Sequence, residues 1–386
     1  MTFVSFLSTY RWTILFYAAV ILLVYLFRKR FDWQGIIGLY RTQVGLALMD
    51  RMGRRKRLFR LLGNLAIVVG FAGMLFITGM LVKGLYDLVF VPGAPPVISP
   101  VLPGVAIPGV GIRVPLIIGW LALFAVIVIH EFSHGVVARA HNIPVKSSGL
   151  MVFGPLGGAF VEPDEKVMRK RPKSARLSVF AAGPFSNLAA SILFLLVLSI
   201  VLAPLLSSFV AHDGVVFGEV QAGFPAAAAG VRTGIIYDRV NNASVNTTDQ
   251  FLAGLKELKP GDTVTLESTT TCENATIVAT TSPSDPAKGY LGVVLTNNLK
   301  EPGLRWLFSI LSWLTELVTW IFLLGLGIGL ANLLPLGPVD GGRMLQVATE
   351  YLFGAERGRT VWKRVTIVVI AVLVVLLFTP LIRSIF

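Results

Sequence analysis

The chain has 386 residues, 54% of them hydrophobic and only 14% charged, and its mean hydropathy is +0.75. That excludes an ordinary soluble domain and fits a polytopic membrane protein. The formal net charge of +13 raises a nucleic-acid partner, but the basic residues cluster beside apolar spans as cytoplasmic anchoring charges do and form no basic-aromatic groove.

Apolar runs of roughly 20 residues, the length that crosses ~30 Å of hydrocarbon, are predicted near Trp12–Phe27, Leu62–Leu85, Leu116–Ala140, Leu177–Leu205, Trp306–Leu334 and Val365–Ile382. The first ends in Arg28-Lys29-Arg30 without a small-residue cleavage pattern, so it reads as a span with a cytoplasmic stop and not as a signal peptide. Gln34–Leu48 places Ile37, Tyr40, Val44 and Leu48 at helical spacing beside basic residues. This fits a helix lying on the membrane surface or an ordinary connecting segment, since Gly35, Gly38 and Gly45 weaken a helix. The basic segments Arg28–Arg60, Lys166–Arg176 and Arg357–Arg364 fall on one side, the cytoplasmic one, if there are six spans and both termini lie outside. Val91–Pro115 is too rich in proline for a helix and is expected as an outer loop on the membrane or over the third span.

The third span contains His130-Glu131-Phe132-Ser133-His134. Positions i and i+4 share a helix face, so His130 and His134 can offer two imidazoles to one zinc ion, with Glu131 beside them as candidate general base. The bland alternative, satisfied helix histidines with a surface glutamate, is costly in a bilayer, at roughly 2.5–3.5 kcal/mol for each charged group. A catalytic zinc centre needs a third protein ligand. Only one cysteine (Cys272) and four histidines (His130, His134, His141, His212) are present, so a carboxylate or a distant histidine must supply it. Asp340, in Asn332-Leu333-Leu334-Pro335-Leu336-Gly337-Pro338-Val339-Asp340-Gly341-Gly342-Arg343, is the best candidate, with a plain turn aspartate as the alternative. Depth favours the ligand. His130 lies ~14 residues, or ~21 Å, into its span, toward the cytoplasmic end. Asp340 follows the cytoplasmic end of the fifth span, and Gly183-Pro184-Phe185-Ser186-Asn187 begins near that side in the fourth.

Gly149–Glu165, after the histidine span, is glycine-rich with a short apolar run and fits a hairpin or a simple loop. The block His212–Leu299 is polar and more acidic than basic, with strand-like runs such as Thr263-Val264-Thr265-Leu266. The span count puts it outside the cytoplasm. Sequons at Asn242, Asn246 and Asn274 fit that side but are a weak sign of glycosylation.

Taken together, His130-Glu131-xx-His134, Gly183-Pro184-xx-Asn187 and Asn332-xx-Pro335-xxxx-Asp340-Gly341 resemble the three core motifs of the site-2 protease family of intramembrane zinc metalloproteases. The resemblance covers about Leu116 to Arg343, with a domain inserted between the second and third core helices. It implies one zinc ion per chain on His130, His134 and Asp340, with Glu131 as general base. It implies that Asn187 belongs to the catalytic core in a hydrogen-bonding or oxyanion role, the alternative being packing by Gly183 and capping by Asn187. It also implies a reentrant strand or hairpin near the site at Gly149–Glu165, whose edge could hold an unwound substrate extended. The reaction implied is regulated intramembrane proteolysis, in which a single-span membrane protein is cut toward its cytoplasmic end after an earlier outer-side cleavage.

The inserted block resembles a PDZ-like domain on Gly223-Phe224-Pro225-Ala226-Ala227-Ala228-Ala229-Gly230-Val231, Ile235–Val240, Val245, Phe251 and Gly261-Asp262-Thr263-Val264. Such domains bind extended peptides or chain ends by strand addition. It is present in one copy, not the tandem pair of some relatives. The expected fold is therefore a polytopic α-helical membrane protein of about six transmembrane helices with an inserted extracytoplasmic PDZ-like α/β domain. The expected layout is N-terminal helices and loops over 1–115, the catalytic membrane core over 116–211 and 301–345, the PDZ-like domain over 212–300 and a C-terminal helix over 346–386. The expected setting is the cell membrane with the active site toward the cytoplasm. Expected partners are the lipid bilayer, single-span substrates and a peptide or chain end for the PDZ-like domain, with no nucleic acid. A prenyl-protein endopeptidase would take a later glutamate or histidine as ligand, and no such motif stands out. A receptor or transporter working through its PDZ-like domain has no use for an intact Glu131.

Overall fold

The structure, a computed structural model, describes residues 3–91, 98–107, 112–283 and 285–383. Its contacts divide the chain into two units, Met1–Leu198 with Glu316–Phe386, and Ser199–Thr315. Among the described residues six helices are long and apolar enough to cross a membrane: Leu7–Leu26, Lys56–Phe90, Leu116–Ala140, Lys173–Phe209, Arg305–Ala331 and Ala355–Phe378.

The first unit opens with α1 (Phe3–Leu26) and a hairpin, β1 (Asp32–Gln34) and β2 (Ile37–Thr42), followed by α2 (Leu46–Gly53) and α3 (Lys56–Phe90). The segment expected as a surface helix or connector is thus mostly a strand. Gly35, at φ +64°, makes the tight turn that pairs Gln34 with Ile37. Gly38 lets the strands close up, because a Cβ there would lie 2.9 Å from Val152 Cγ2. Of the proline-rich loop, 92–97 and 108–111 lie outside the described residues. The remainder is non-helical and tied down by Arg113, whose Nε donates to the Gly104 carbonyl at 3.0 Å.

Helix α4 (Leu116–Ala140) carries no charged group before Glu131 and ends where Asn142 turns left-handed, at φ 57°. It leads into the hairpin β3 (Val145–Phe153) and β4 (Leu156–Pro163), which fits the hairpin expected over Gly149–Glu165. The sheet order is β1-β2-β3-β4, all antiparallel, with Tyr40 opposite Leu150 and Leu150 opposite Ala159. Next come the short α5 (Glu165–Arg169), capped by the Asp164 carboxylate accepting from Val167 N–H, and α6 (Lys173–Val197). The core of this unit joins Val137 of α4, Ala181 of α6, Ala66 of α3 and Met344. Gly63 of α3 faces Ser178 of α6 where a Cβ would come within 2.9 Å, so small residues let these helices approach.

The second unit holds α7 (Ala203–Phe209), β5 (Val215–Val220), α8 (Pro225–Ala228), β6 (Ile236–Tyr237), β7 (Arg239–Val240), β8 (Ala243–Ser244), α9 (Thr248–Gly254), β9 (Thr263–Ser268), β10 (Glu273–Val278), β11 (Thr280–Thr281), β12 (Gly289–Tyr290) and β13 (Val293–Thr296). Two sheets, β10-β9-β7-β8 and β13-β5-β6, share a core of Phe217, Tyr237, Phe251, Leu266 and Ile277. Strand β9 buries Val264, Leu266 and Ser268 in alternation, as a half-buried strand must. After Gly223-Phe224 come the short alanine-rich α8, the three short strands β6, β7 and β8 where a single strand was expected, and then α9.

The chain then returns through α10 (Arg305–Ala331), α11 (Asp340–Phe353) and α12 (Ala355–Arg383). Helix α10 stops at Ala331, before the expected Leu334. The segment Arg357–Arg364, expected as a loop, forms the first turns of α12, because alanine, arginine and lysine are good helix formers and the break falls instead at Gly354, φ +81°.

Candidate metal centre

Helical spacing puts His130 and His134 one turn apart on the buried face of α4, 6% and 9% exposed. Asp340 reaches them from the first turn of α11. It is placed there by the break after α10, which Gly341 N–H closes by donating to the Asn332 carbonyl at 2.7 Å. Side chains at Gly341 and Gly342 would overlap the backbone of Leu333 and Leu336, so this turn admits only glycine at both positions. The Asp340 Oδ2 atom lies 2.9 Å from His130 Nε2 and 3.2 Å from His134 Nε2.

The outer nitrogens of the imidazoles decide what these inner atoms are. His134 Nδ1 faces the Val179 carbonyl of α6 at 2.6 Å and can only donate to it, so the Nε2 of the neutral ring carries a bare lone pair. Pro184 removes one intrahelical donor from this part of α6, where the helix meets the imidazoles. His130 Nδ1 lies 3.1 Å from the amide of Asn187, which is 1% exposed. With the amide nitrogen turned toward the ring, Asn187 Oδ1 is buried and unpartnered. Turning the amide over lets Oδ1 accept from Nδ1–H and bares the Nε2 of His130 as well. Two lone pairs and a carboxylate oxygen then converge, and a cation is what such a set requires. The two separations to Asp340 Oδ2 are close to the ~3.3 Å edge of a tetrahedron with bonds of about 2.0 Å, all three donor atoms lie within 4.8 Å of one another, and two histidines with one carboxylate suit zinc with a fourth position open. Gly183 completes the fit: a side chain there would run into the Nε2 atoms of both histidines. Among the described residues this is the histidine, cysteine and acidic cluster with metal-ligand spacing.

The Glu131 Oε2 atom accepts from the backbone N–H of Val161 in β4, at 3.1 Å. Glu131 and all three candidate ligands line a cavity of about 680 Å³, whose rim carries Lys146, Glu162, Glu165, Lys166 and Arg343. On that rim Glu162 accepts from Ser147 Oγ at 2.8 Å and from Arg41 Nε at 3.2 Å. These bonds, the serine's foremost, hold its carboxyl below the usual carboxylate range. A polar cavity ending on a buried histidine-carboxylate cluster is where a water-consuming metalloenzyme would place its reaction.

The family model of peptidase family M50 matches residues 118–378, about two thirds of the chain. The chain belongs to family M50, the site-2 protease family. It is a membrane metallopeptidase of that family by this match. An uncharacterized protein of Methanocaldococcus jannaschii is similar to it, 28% identical over 324 residues that cover 82% of this chain and 79% of the relative.

The M50 match spans His130, Glu131, His134, Asn187 and Asp340, and the structure brings all five together. Asn187 lies against the outer nitrogen of His130, so its contact here is with a candidate ligand. His141, two turns past His134, lies just beyond the end of α4 and is not part of the cluster. Three participants had no signal of their own in the sequence: the Val161 N–H, the Val179 carbonyl and the space that Gly183 leaves. The first two are backbone groups, which no residue type marks. Gly183 was visible as part of a motif, but its use was not.

Proposed function

We propose that this M50 protein is a zinc-dependent intramembrane endopeptidase that cuts single-span membrane proteins in regulated intramembrane proteolysis. The observation that carries the reading is the convergence of His130 Nε2, His134 Nε2 and Asp340 Oδ2, the histidines and Glu131 being carried by a helix apolar enough to span a bilayer. His130, His134 and Asp340 would hold one zinc ion, which when bound supplies a Lewis acid for the scissile carbonyl and for the attacking water. Glu131 takes the proton of that water and returns it to the leaving amine. The Val161 N–H bond engages one carboxylate oxygen and leaves the other free for the proton. The Val179 carbonyl and the Asn187 amide hold the two imidazoles in the tautomer that ligation needs.

Strand β4 is the outer member of its sheet, and an extended substrate segment can add to such an edge. At Val161 that edge is already engaged by Glu131, so pairing would run along the Gly157–Ala159 part. The charged rim of the large cavity and the lysine and arginine distribution support water entry from the cytoplasmic side. In the second unit, β13 is likewise the outer strand of its sheet, and a PDZ-like reading gives it a substrate's outer segment or chain end to bind.

The test is zinc analysis of the purified protein together with cleavage of labelled single-span substrates. Glu131→Gln should keep zinc and lose cleavage by ~100-fold or more, whereas Asp340→Ala should lose zinc. Cleavage unchanged in Glu131→Gln would overturn the mechanism.

A further inference from the structure

Beside the polar cavity lies a second one, of about 320 Å³, with a different character. Its walls include Met49 of α2, Val128 and Phe132 of α4, Leu150 of β3 and Phe160 of β4. Glu131 is a wall of both cavities, and so are Ala159, Phe160 and Val161. The two spaces therefore share one stretch of β4 and the candidate general base as walls. The apolar walls are built and fixed: Gly135 lets Met49 lie directly on α4, since a Cβ there would come 2.5 Å from the thioether sulfur. Val128 and Leu150 remain 38% and 45% exposed. Both lie on the apolar surface of the unit, so the cavity opens on the side that would face lipid.

We propose that this cavity is the specificity pocket for a bulky aliphatic or aromatic side chain of the substrate residue adjoining the scissile bond. The proposal rests on the endopeptidase reading above. A group that acts on the scissile carbonyl lies within one residue of the side chains flanking it. A pocket sharing Glu131 as a wall is therefore within reach of the adjoining residue and of little else in an extended chain, which advances only ~3.3 Å per residue. Apolar walls favour an occupant that removes apolar surface from water, and Ala159 is the small residue past which that side chain would move. Met49 and Val128 then set how large the accepted side chain can be.

The test uses two peptide hydroxamates that differ only in the side chain next to the zinc-binding group, methyl against isobutyl. Binding is measured on the zinc-loaded full-length protein in lipid nanodiscs. The isobutyl compound should bind roughly 10- to 100-fold more tightly. Val128→Trp, which fills the pocket, should abolish that preference by weakening the isobutyl compound alone. Val44→Trp, at another lining position that is 77% exposed and so tolerant of a large side chain, should reduce it. Zinc content and affinity for the methyl compound report that each variant is folded. A preference unchanged in both variants would overturn the pocket. Equal affinities in nanodiscs that separate only after lipid removal would assign the cavity to an acyl chain and also overturn it. If neither hydroxamate binds the zinc-loaded protein, the endopeptidase reading itself falls.

Discussion

The two units of this chain obey opposite rules about polar groups. In the unit holding α4, α6 and α11, apolar residues face outward over long helices, as Leu75 and Phe76 of α3 do, and the polar side chains stand out by being inside. There, His130, His134, Asn187 and Asp340 are gathered at one point, and each partner is another member of the group or a backbone atom. In the sheets of the second unit, between its helical ends, the order is the ordinary one. Phe217, Tyr237 and Phe251 fill the centre, and the charged pairs, such as Arg232 with Glu273, lie at the surface. A buried polar residue is thus a pointer to chemistry in the first unit. In the second, any function must sit on exposed backbone, such as the outer edge of β13, where residue types say little.

This contrast can be broken most directly at glycine. Gly183→Ala puts a methyl group onto the Nε2 atoms of His130 and His134, and should lower zinc affinity more than ~100-fold, beyond the loss expected on removing a residue that only orients a ligand. The comparison variant is Gly223→Ala, at φ +84° with nothing within 4 Å of the new Cβ. It should cost about 1 kcal/mol in the second unit and leave zinc affinity unchanged. Chelator competition measures both, and a Gly183→Ala protein with normal affinity would remove the close approach of α6 from the site. Next in size, Phe217→Ala removes a fully buried ring that packs against Tyr237 and Phe251 at 5.3 and 5.7 Å between centroids. It should destabilise the second unit by roughly 3–5 kcal/mol, seen as faster amide exchange in β5 and β9, with zinc content preserved. Loss of zinc in that variant would show that the two units do not hold their structures separately.

What could be read from the sequence follows the same division. The histidines, Glu131 and Asp340 were legible because lipid makes every ionisable group expensive, and because two of the motifs contain proline or glycine where a span should continue. The six helices were legible for the same reason. Strands β1 and β2 were not, since Ile37, Tyr40 and Val44 satisfy a helical period while Ile37, Leu39 and Arg41 satisfy a strand. Pairing with β3 decided between them, and that partner lies about a hundred residues further along the chain. The bond between Glu131 and Val161 was hidden because it depends on which backbone N–H the register of β3 and β4 turns outward.

Asn187 sharpens the comparison at a smaller scale, because it is a buried amide whose apparent defect has a use. If Oδ1 accepts from His130 Nδ1–H, Asn187→Ala should weaken zinc binding about 10- to 100-fold, or ~1.4–2.7 kcal/mol. Asn187→Asp keeps an acceptor at the same place and should recover most of that loss, while an Nδ2 donor role predicts that it would not. Zinc affinity across the two variants separates the orientations without any substrate.

The smallest expected effect concerns His141, just past the end of α4 and outside the cluster. Burial is the main cause holding its pKa below the ordinary 6.5, and the guanidinium groups of Arg60 and Arg171 act in the same direction. Between the folded and unfolded values the unfolded chain binds more protons, so stability falls as pH drops below ~6.5 toward the folded value. Glu162, also held low, contributes only below about pH 4, where its unfolded counterpart becomes protonated. The two windows are therefore separate. Thermal unfolding of the metal-loaded protein between pH ~7.5 and ~5.5 should show a shallow decline that His141→Asn reduces and Glu162→Gln leaves alone. A decline unaffected by His141→Asn would place the proton-sensitive group elsewhere in the unit.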